Sequence, residues 1–305
     1  MKNSAIKQCV ILSGKGGTGK TSICAGLIHL SSQSTEAVYV DADVDAANLA
    51  LAINANKIET HLFASSQVAS IDPDLCIACG ICYDVCRFDA IVGQTTDRLL
   101  YQVIDLLCEG CASCYHQCPV EAIAMKVQKD GAWFHSKTNF GHLFHAELFP
   151  AAENSGKLVA EIKQHADAYA KEEGLEFMLI DGPPGIGCPV ISASTSADLA
   201  LLVAEPGVSG FNDLKRIINT LEHFKIPIQI CINKANLDPE GAQEIRSLAK
   251  SDGYPITGEI PFDMDIPKAM IQGQPITVIA PESEVTKEIK RIWSSIKLAL
   301  WKEPF

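Results

Sequence analysis

The chain has 305 residues, 47% of them hydrophobic and 20% charged, enough for an α/β domain with a filled core and a small inserted unit. A formal net charge of −12 argues against nucleic-acid binding through a basic surface. No apolar run reaches about 18 residues, so no membrane-spanning helix is expected; the N-terminal stretch makes a poor secretion signal, and a cytoplasmic location is expected.

In chain order, CVILS (9–13) reads as a buried strand that runs into a glycine-rich loop and a helix over about 20–32. AVYVDAD (37–43) reads as a second buried strand ending in acidic residues. A cysteine-rich stretch, about 66–128, then breaks the pattern. Residues 132–148 alternate like a hairpin, and a helix is expected from about Ser155 to Glu173. FMLIDGPPG (177–185) is another buried strand ending in Asp and Gly. ALLVAEP, a helix to about Phe224, PIQICINK, a helix near 239–250 and a strand near 256–260 complete the series. Strands alternating with helices predict an α/β fold, a mostly parallel sheet with helices on both faces, and ligands at the carboxyl ends of its strands. The expected domains are 1–65 with 129–305, and the insert 66–128.

Gly14-Lys15-Gly16-Gly17-Thr18-Gly19-Lys20-Thr21 satisfies the P-loop pattern G-x4-G-K-S/T between a strand and a helix. Glycines there let backbone N–H groups face phosphates. Lys20 is expected to reach the β- and γ-phosphates and Thr21 to ligate Mg²⁺.

Eight of the twelve cysteines lie between Cys76 and Cys118. CIACGICYDVCRFDAI (76–91) and CEGCASCYHQCPVEAI (108–123) form an internal repeat at an offset of 32 residues, cysteine on cysteine. Each half has C-x2-C-x2-C-x3-C spacing, which resembles bacterial two-cluster ferredoxins. The resemblance implies two [4Fe-4S] clusters, one on Cys76, Cys79, Cys82 and Cys118, the other on Cys108, Cys111, Cys114 and Cys86. Soft thiolates suit iron in such clusters. The plainer alternative is zinc knuckles or structural thiols. Arg87 replaces the proline that the pattern places after the fourth cysteine, and its charge is expected to lie near a cluster.

The second lysine of the loop, Lys15, sharpens the assignment. KGGTGKT resembles the deviant P-loop of the MinD/Mrp/ParA superfamily, to which the nitrogenase iron protein also belongs. In that family this lysine reaches the partner's nucleotide across a dimer. The resemblance implies an Mg²⁺-dependent ATPase that binds ATP or ADP. It further implies that Asp43 positions the attacking water, ahead of Asp41 and Asp45, that Asp181 supports Mg²⁺, and that Asn233 and Pro261 lie on the adenine side. ENSGKLV (153–159) and GPPGIGCPVISAS (182–194) look like features of a subgroup carrying an inserted ferredoxin domain. Cys188 falls where the nitrogenase iron protein holds a ligand to a subunit-bridging cluster. A second such cysteine is missing here, and the plainer reading of Cys188 is a buried thiol at a helix start.

Implied partners are a second copy or a paralogous ATPase, and a redox or iron–sulfur protein. The function expected is ATP-dependent switching coupled to electron transfer or cluster handling. A cluster carrier and a redox-sensing spatial organiser are the alternatives. The amphipathic stretch 285–301 leaves membrane contact open, although a helix packed on the sheet is favoured.

Overall fold

The computed structural model describes residues 6–95, 99–150, 152 and 155–302; Glu153 and Asn154 of the ENSGKLV stretch lie outside the described residues. In chain order the elements are β1 (Lys7–Ser13), α1 (Lys20–Ser32), β2 (Ala37–Asp41), α2 (Leu49–Ala52), β3 (Asn56–Phe63), β4 (Ser66–Ile71), α3 (Ile81–Asp84) and β5 (Ile91–Thr95). Then come β6 (Leu99–Val103), α4 (Ser113–Gln117), β7 (Ile123–Gln128), β8 (Gly131–Thr138), β9 (Gly141–Leu148), α5 (Ser155–Glu173), β10 (Phe177–Pro184) and α6 (Cys188–Ser194). The chain ends with β11 (Leu199–Ala204), α7 (Val208–His223), β12 (Ile228–Asn233), α8 (Pro239–Asp252), β13 (Ile256–Ile260), α9 (Asp265–Ile271), α10 (Ile276–Ile279) and α11 (Glu284–Trp301).

The chain divides into two compact units, one of residues 1–61, 133–147 and 155–305, the other of 62–132 and 148–154. The division thus falls a few residues outside 66 and 128, and the second unit also takes in the segment after β9.

In the first unit one sheet runs β13-β12-β11-β1-β10-β2-β9-β8-β3. From β13 to β9 the neighbours are parallel. The central strands are buried on both faces, so they read as continuous apolar runs. β1 lies between β10 and β11, and Asp181 of β10 is in register with Asp41 of β2. The glycine loop and both aspartates therefore reach the same sheet end. The expected hairpin is β8 and β9, and it extends the main sheet, with β3 outside it.

Helix α11 closes the core. Val285, Ile289, Ile292, Trp293, Ile296 and Leu300 are all buried, and Trp293 meets the Phe177 ring at 5.5 Å. Ser283 caps the helix by accepting from Thr286 N at 3.1 Å. The favoured reading of this helix, packed on the sheet, is the one observed: its apolar stripe is consumed by the core. Among the described residues no helix is long and apolar enough to cross a membrane.

The second unit repeats one motif, strand–cysteine loop–short helix–strand. The first strand of one copy pairs with the last of the other, β4 with β7 and β5 with β6, both antiparallel. The 32-residue sequence offset reappears in the backbone. Positive φ occurs at Ala78 and Gly110 (54° and 63°), at Gly80 and Ala112 (82° and 61°), and at Asp89 and Glu121 (52° at both). A non-glycine residue held there costs about 1–3 kcal/mol and persists only where its surroundings require it.

Candidate functional sites

The nucleotide-binding candidate is built from β1, β10 and β2. Gly17 and Gly19 have φ of 78° and 91°. A β-carbon on Gly19 would collide with the Asn233 side-chain amide, and one on Gly14 with Asp213. Asn233 is buried, and its Nδ2 donates to the Thr18 carbonyl at 2.7 Å. Among the described residues its Oδ1 has no partner, leaving it able to accept from a ligand. Asn233, Gly19, Ser22, Pro261 and Phe262 line one cavity. It begins at the glycine loop and has a largely apolar wall, a lining suited to the faces of an aromatic base.

Lys20 is buried at 6% exposure, and its charge bears on both Asp43 and Asp181. Asp181 is buried, and among the described residues neither of its carboxylate oxygens has a hydrogen-bond partner. Burial pushes its pKa up to about 6; Lys20 and Thr21 pull it down, and Asp43 pushes it up. Asp41 is raised well above the carboxylate range, by burial and then by Asp181. Its oxygens accept from Leu49 N at 3.0 Å and Asp43 N at 3.2 Å, so it fixes the turn into α2. Asp43 is half-buried and its pKa is raised, first by burial. Among these acids Asp41 is spent on backbone, whereas Asp43 faces the Lys20 charge.

Each unsatisfied buried polar group costs about 1–3 kcal/mol, more if charged. Asp181 Oδ1 and Oδ2, Thr18 Oγ1 and Asn233 Oδ1 are all of this kind, in the loop and at strand ends on either side of it. Such an arrangement fits a magnesium-bound polyphosphate nucleotide, with Thr21 and Asp181 to hold the ion. The sign for pH follows. Between about pH 4 and 6 folded Asp181 keeps a proton that the unfolded chain has lost, so ligand-free stability falls as pH rises through that window. Magnesium requires the ionised carboxylate. The melting-temperature gain from Mg-ADP should therefore be larger at about pH 7.5 than at about pH 5.5, and Asp181→Asn should flatten the difference. Equal gains in the parent would contradict this role of Asp181.

Sequence reasoning missed Glu205. It forms ion pairs with Lys15 at 3.6 Å and Lys234 at 3.0 Å, and Lys234 also donates to the Gly17 carbonyl at 3.1 Å. Lys15 is thus held by its own chain. The signal was weak, one glutamate at a strand end with no motif spacing.

In the second unit the eight cysteines line two separate small pockets. Cys76, Cys79, Cys82 and Cys118 line the first, with Ile71, Tyr101 and Ile123. Cys86, Cys108, Cys111 and Cys114 line the second, with Ala69, Ile91 and Met125. Each triplet is thus completed by the fourth cysteine of the other repeat. Backbone N–H groups point at sulfur: Ala122 N lies 3.3 Å from Cys118 Sγ and Ala69 N lies 3.4 Å from Cys108 Sγ. The Cys111 thiol is held below its usual range, chiefly by Ser113 and in small part by Arg87. Among the described residues no three His, Cys, Asp or Glu side chains converge closely enough for a single metal ion. The four candidate donors at each pocket are all thiols, and the walls are apolar.

Cys188 joins neither cavity. It starts α6, as expected, but it is exposed, correcting the buried reading.

The CobQ/CobB/MinD/ParA nucleotide binding domain model matches residues 9–276. The uncharacterized protein MJ0578 of Methanocaldococcus jannaschii is 36% identical over 294 residues, covering 96% of this chain and 97% of that one. MJ0579 of the same organism is 28% identical over 227 residues, 73% and 78% of the two chains. An iron–sulfur cluster carrier protein of Pyrococcus horikoshii is 24% identical over 288 residues, 89% and 79% of the two. Among solved structures, the septum site-determining protein MinD of Pyrococcus horikoshii, complexed with Mg-ADP, superposes with a TM-score of 0.59 at 21% identity. The match covers 98% of this chain and all of that one, a likeness of fold.

Proposed function

The chain belongs to the CobQ/CobB/MinD/ParA family of nucleotide-binding domains, and from that premise we propose that it is an ATPase whose nucleotide-driven dimer switching governs two [4Fe-4S] clusters held in its cysteine unit. The observation that carries this reading is the crossed cysteine set, three from one repeat and the fourth from the other around each cavity. That is the ligand arrangement of two-cluster ferredoxins. The repeated positive-φ residues support it, because such turns aim successive N–H groups at a bound anion or cluster sulfur.

When bound, the clusters would supply one-electron chemistry. The chain's own part is to hold them by thiolates, keep apolar walls around them and donate N–H groups to sulfur, all of which set potential. At the nucleotide, Lys20 and the loop N–H groups would bind phosphate oxygens, and Thr21 and Asp181 would hold Mg²⁺. Asp43 would orient water. Lys15 would leave Glu205 to serve the partner's nucleotide. All four thiolates of each cavity come from this chain, leaving no ligand position for a recipient; this favours electron transfer over cluster donation. Two such relatives in one organism support a hetero-dimer as readily as a homo-dimer.

Anaerobically prepared protein should contain about eight iron and eight sulfide per chain and hydrolyse ATP in the presence of Mg²⁺. One zinc per repeat with no sulfide would reject the cluster reading.

A further inference from the structure

The chain returns from the cysteine unit into the nucleotide-binding unit at α5, which begins at Ser155. There α5 packs along α6, the short helix that follows the Asp181 turn. Two contacts tie these helices together near both ends of α6. At its start Gly156 leaves little room: a β-carbon there would stand 3.2 Å from Cys188 Cβ and 3.4 Å from Ser192 Oγ. At its end Lys163 Nζ donates to the carbonyls of Ala193 at 2.7 Å and Thr195 at 2.6 Å, and more weakly to Ser192 at 3.5 Å.

These are the last carbonyls of α6, which the helix itself cannot satisfy. A cation at a helix C-terminus is favourable, but this one is buried at 8% exposure. Burial lowers its pKa to about 8, with Asp167 pulling the other way. A solvent-exposed lysine could cap α6 without that cost. A buried one fixes the distance between the two helix axes. By contrast, the segment joining Asp181 to α6 holds Gly185, at φ 91°, and Gly187, two positions with no side chain to lock the backbone.

We propose that Lys163 is a positioning residue that binds α6 to α5 as one rigid piece. Displacement of the turn after Asp181 then moves the helix by which the chain leaves the cysteine unit. The glycines absorb the bend, and the lysine prevents α6 from slipping along α5. This rests on the nucleotide-switched reading above.

The test measures how fast dithionite reduces the clusters of anaerobic, fully loaded protein in Mg-ATP and in Mg-ADP, for the parent, Lys163→Met, Lys163→Arg and Gly156→Ala. The parent should show different rates in the two nucleotides. In Lys163→Met the iron content and ATP hydrolysis should match the parent while the nucleotide difference shrinks to within about twofold. Lys163→Arg, which keeps a cation and donors, should restore part of it. Gly156→Ala, which must push Cys188 aside, should weaken the difference by the other contact and serves if Lys163→Met does not fold. A parental difference in both Lys163→Met and Gly156→Ala would overturn the link while leaving the functional reading intact. So would loss of ATP hydrolysis together with the difference in Lys163→Met, since Lys163 would then serve the nucleotide site. No difference in the parent would overturn the functional reading and the link with it.

Discussion

Cys118→Ser should remove the cluster of the first cysteine triplet and spare that of its own repeat. In sequence Cys118 follows Cys108, Cys111 and Cys114, but in space it lines the cavity of Cys76, Cys79 and Cys82. Serine keeps the size and loses the thiolate, and a neutral hydroxyl is a poor donor to iron at ordinary pH. Iron should fall from about eight to about four per chain. The double variant Cys79→Ser/Cys118→Ser separates the two ligand schemes. If ligands cross, both changes strike one cluster and about four irons remain. If each repeat holds its own cluster, each change strikes a different one and nearly all iron is lost, which would contradict the crossed assignment. Cys86→Ser should give the mirror result, leaving the first cluster alone.

Lys20→Met should abolish ATP hydrolysis, by at least about 10²–10³-fold, the usual effect of removing a preorganised charge from a transition state. The buried environment of Lys20 makes the loss severe. Among the described residues its ammonium is the one cation that offsets both Asp43 and Asp181. Without it those carboxylates and phosphate oxygens would share a dry site, so nucleotide affinity should fall together with turnover. Iron content should not change, because no cluster cysteine belongs to that unit. Lys15→Met offers the contrast. Lys15 is partly exposed and its ion-pair partner is Glu205, so ADP binding should survive while hydrolysis falls on a similar scale. Parental hydrolysis by Lys15→Met would reject a role for this lysine at the partner's nucleotide. Hydrolysis by Lys20→Met would reject the assigned phosphate site altogether.

Much of the nucleotide-binding unit was legible because its central strands are buried on both faces and so form short apolar runs. α1 and α5 were bounded correctly at Lys20–Ser32 and Ser155–Glu173. β3 was not read, for the opposite reason. Seven of its eight residues are exposed, so no alternation marks it, and it is a strand because it pairs at the edge of the sheet. The β8–β9 hairpin was visible locally, but its place beside β2 is a long-range fact. In the cysteine unit the repeat was plain, since cysteine spacing is a chemical constraint on consecutive residues; its paired strands were hidden between cysteines.

Among site residues, those in motifs could be named in advance, and those that act through tertiary placement could not. Glu205, Asp213 against Gly14, and Lys163 against the end of α6 belong to the second group. The acidic cluster shows the boundary. Asp41, Asp43 and Asp45 were three aspartates in five residues. The resemblance put Asp43 ahead of the other two, and the structure supplies a physical reason: Asp41 is committed to the Leu49 and Asp43 N–H groups, whereas the Lys20 charge bears on Asp43. Cys188 was placed at a helix start from its neighbours, but its exposure depends on how α5 and α6 pack.

Coupling between nucleotide and clusters is most directly tested by redox titration of the anaerobic, fully loaded protein under Mg-ATP and under Mg-ADP, with Asp43→Ala used to hold the ATP state. Nucleotide-driven switching predicts that at least one cluster midpoint potential, or its rate of reduction, differs between the two conditions. Identical potentials and identical rates, in protein that binds both nucleotides and carries both clusters, would contradict it.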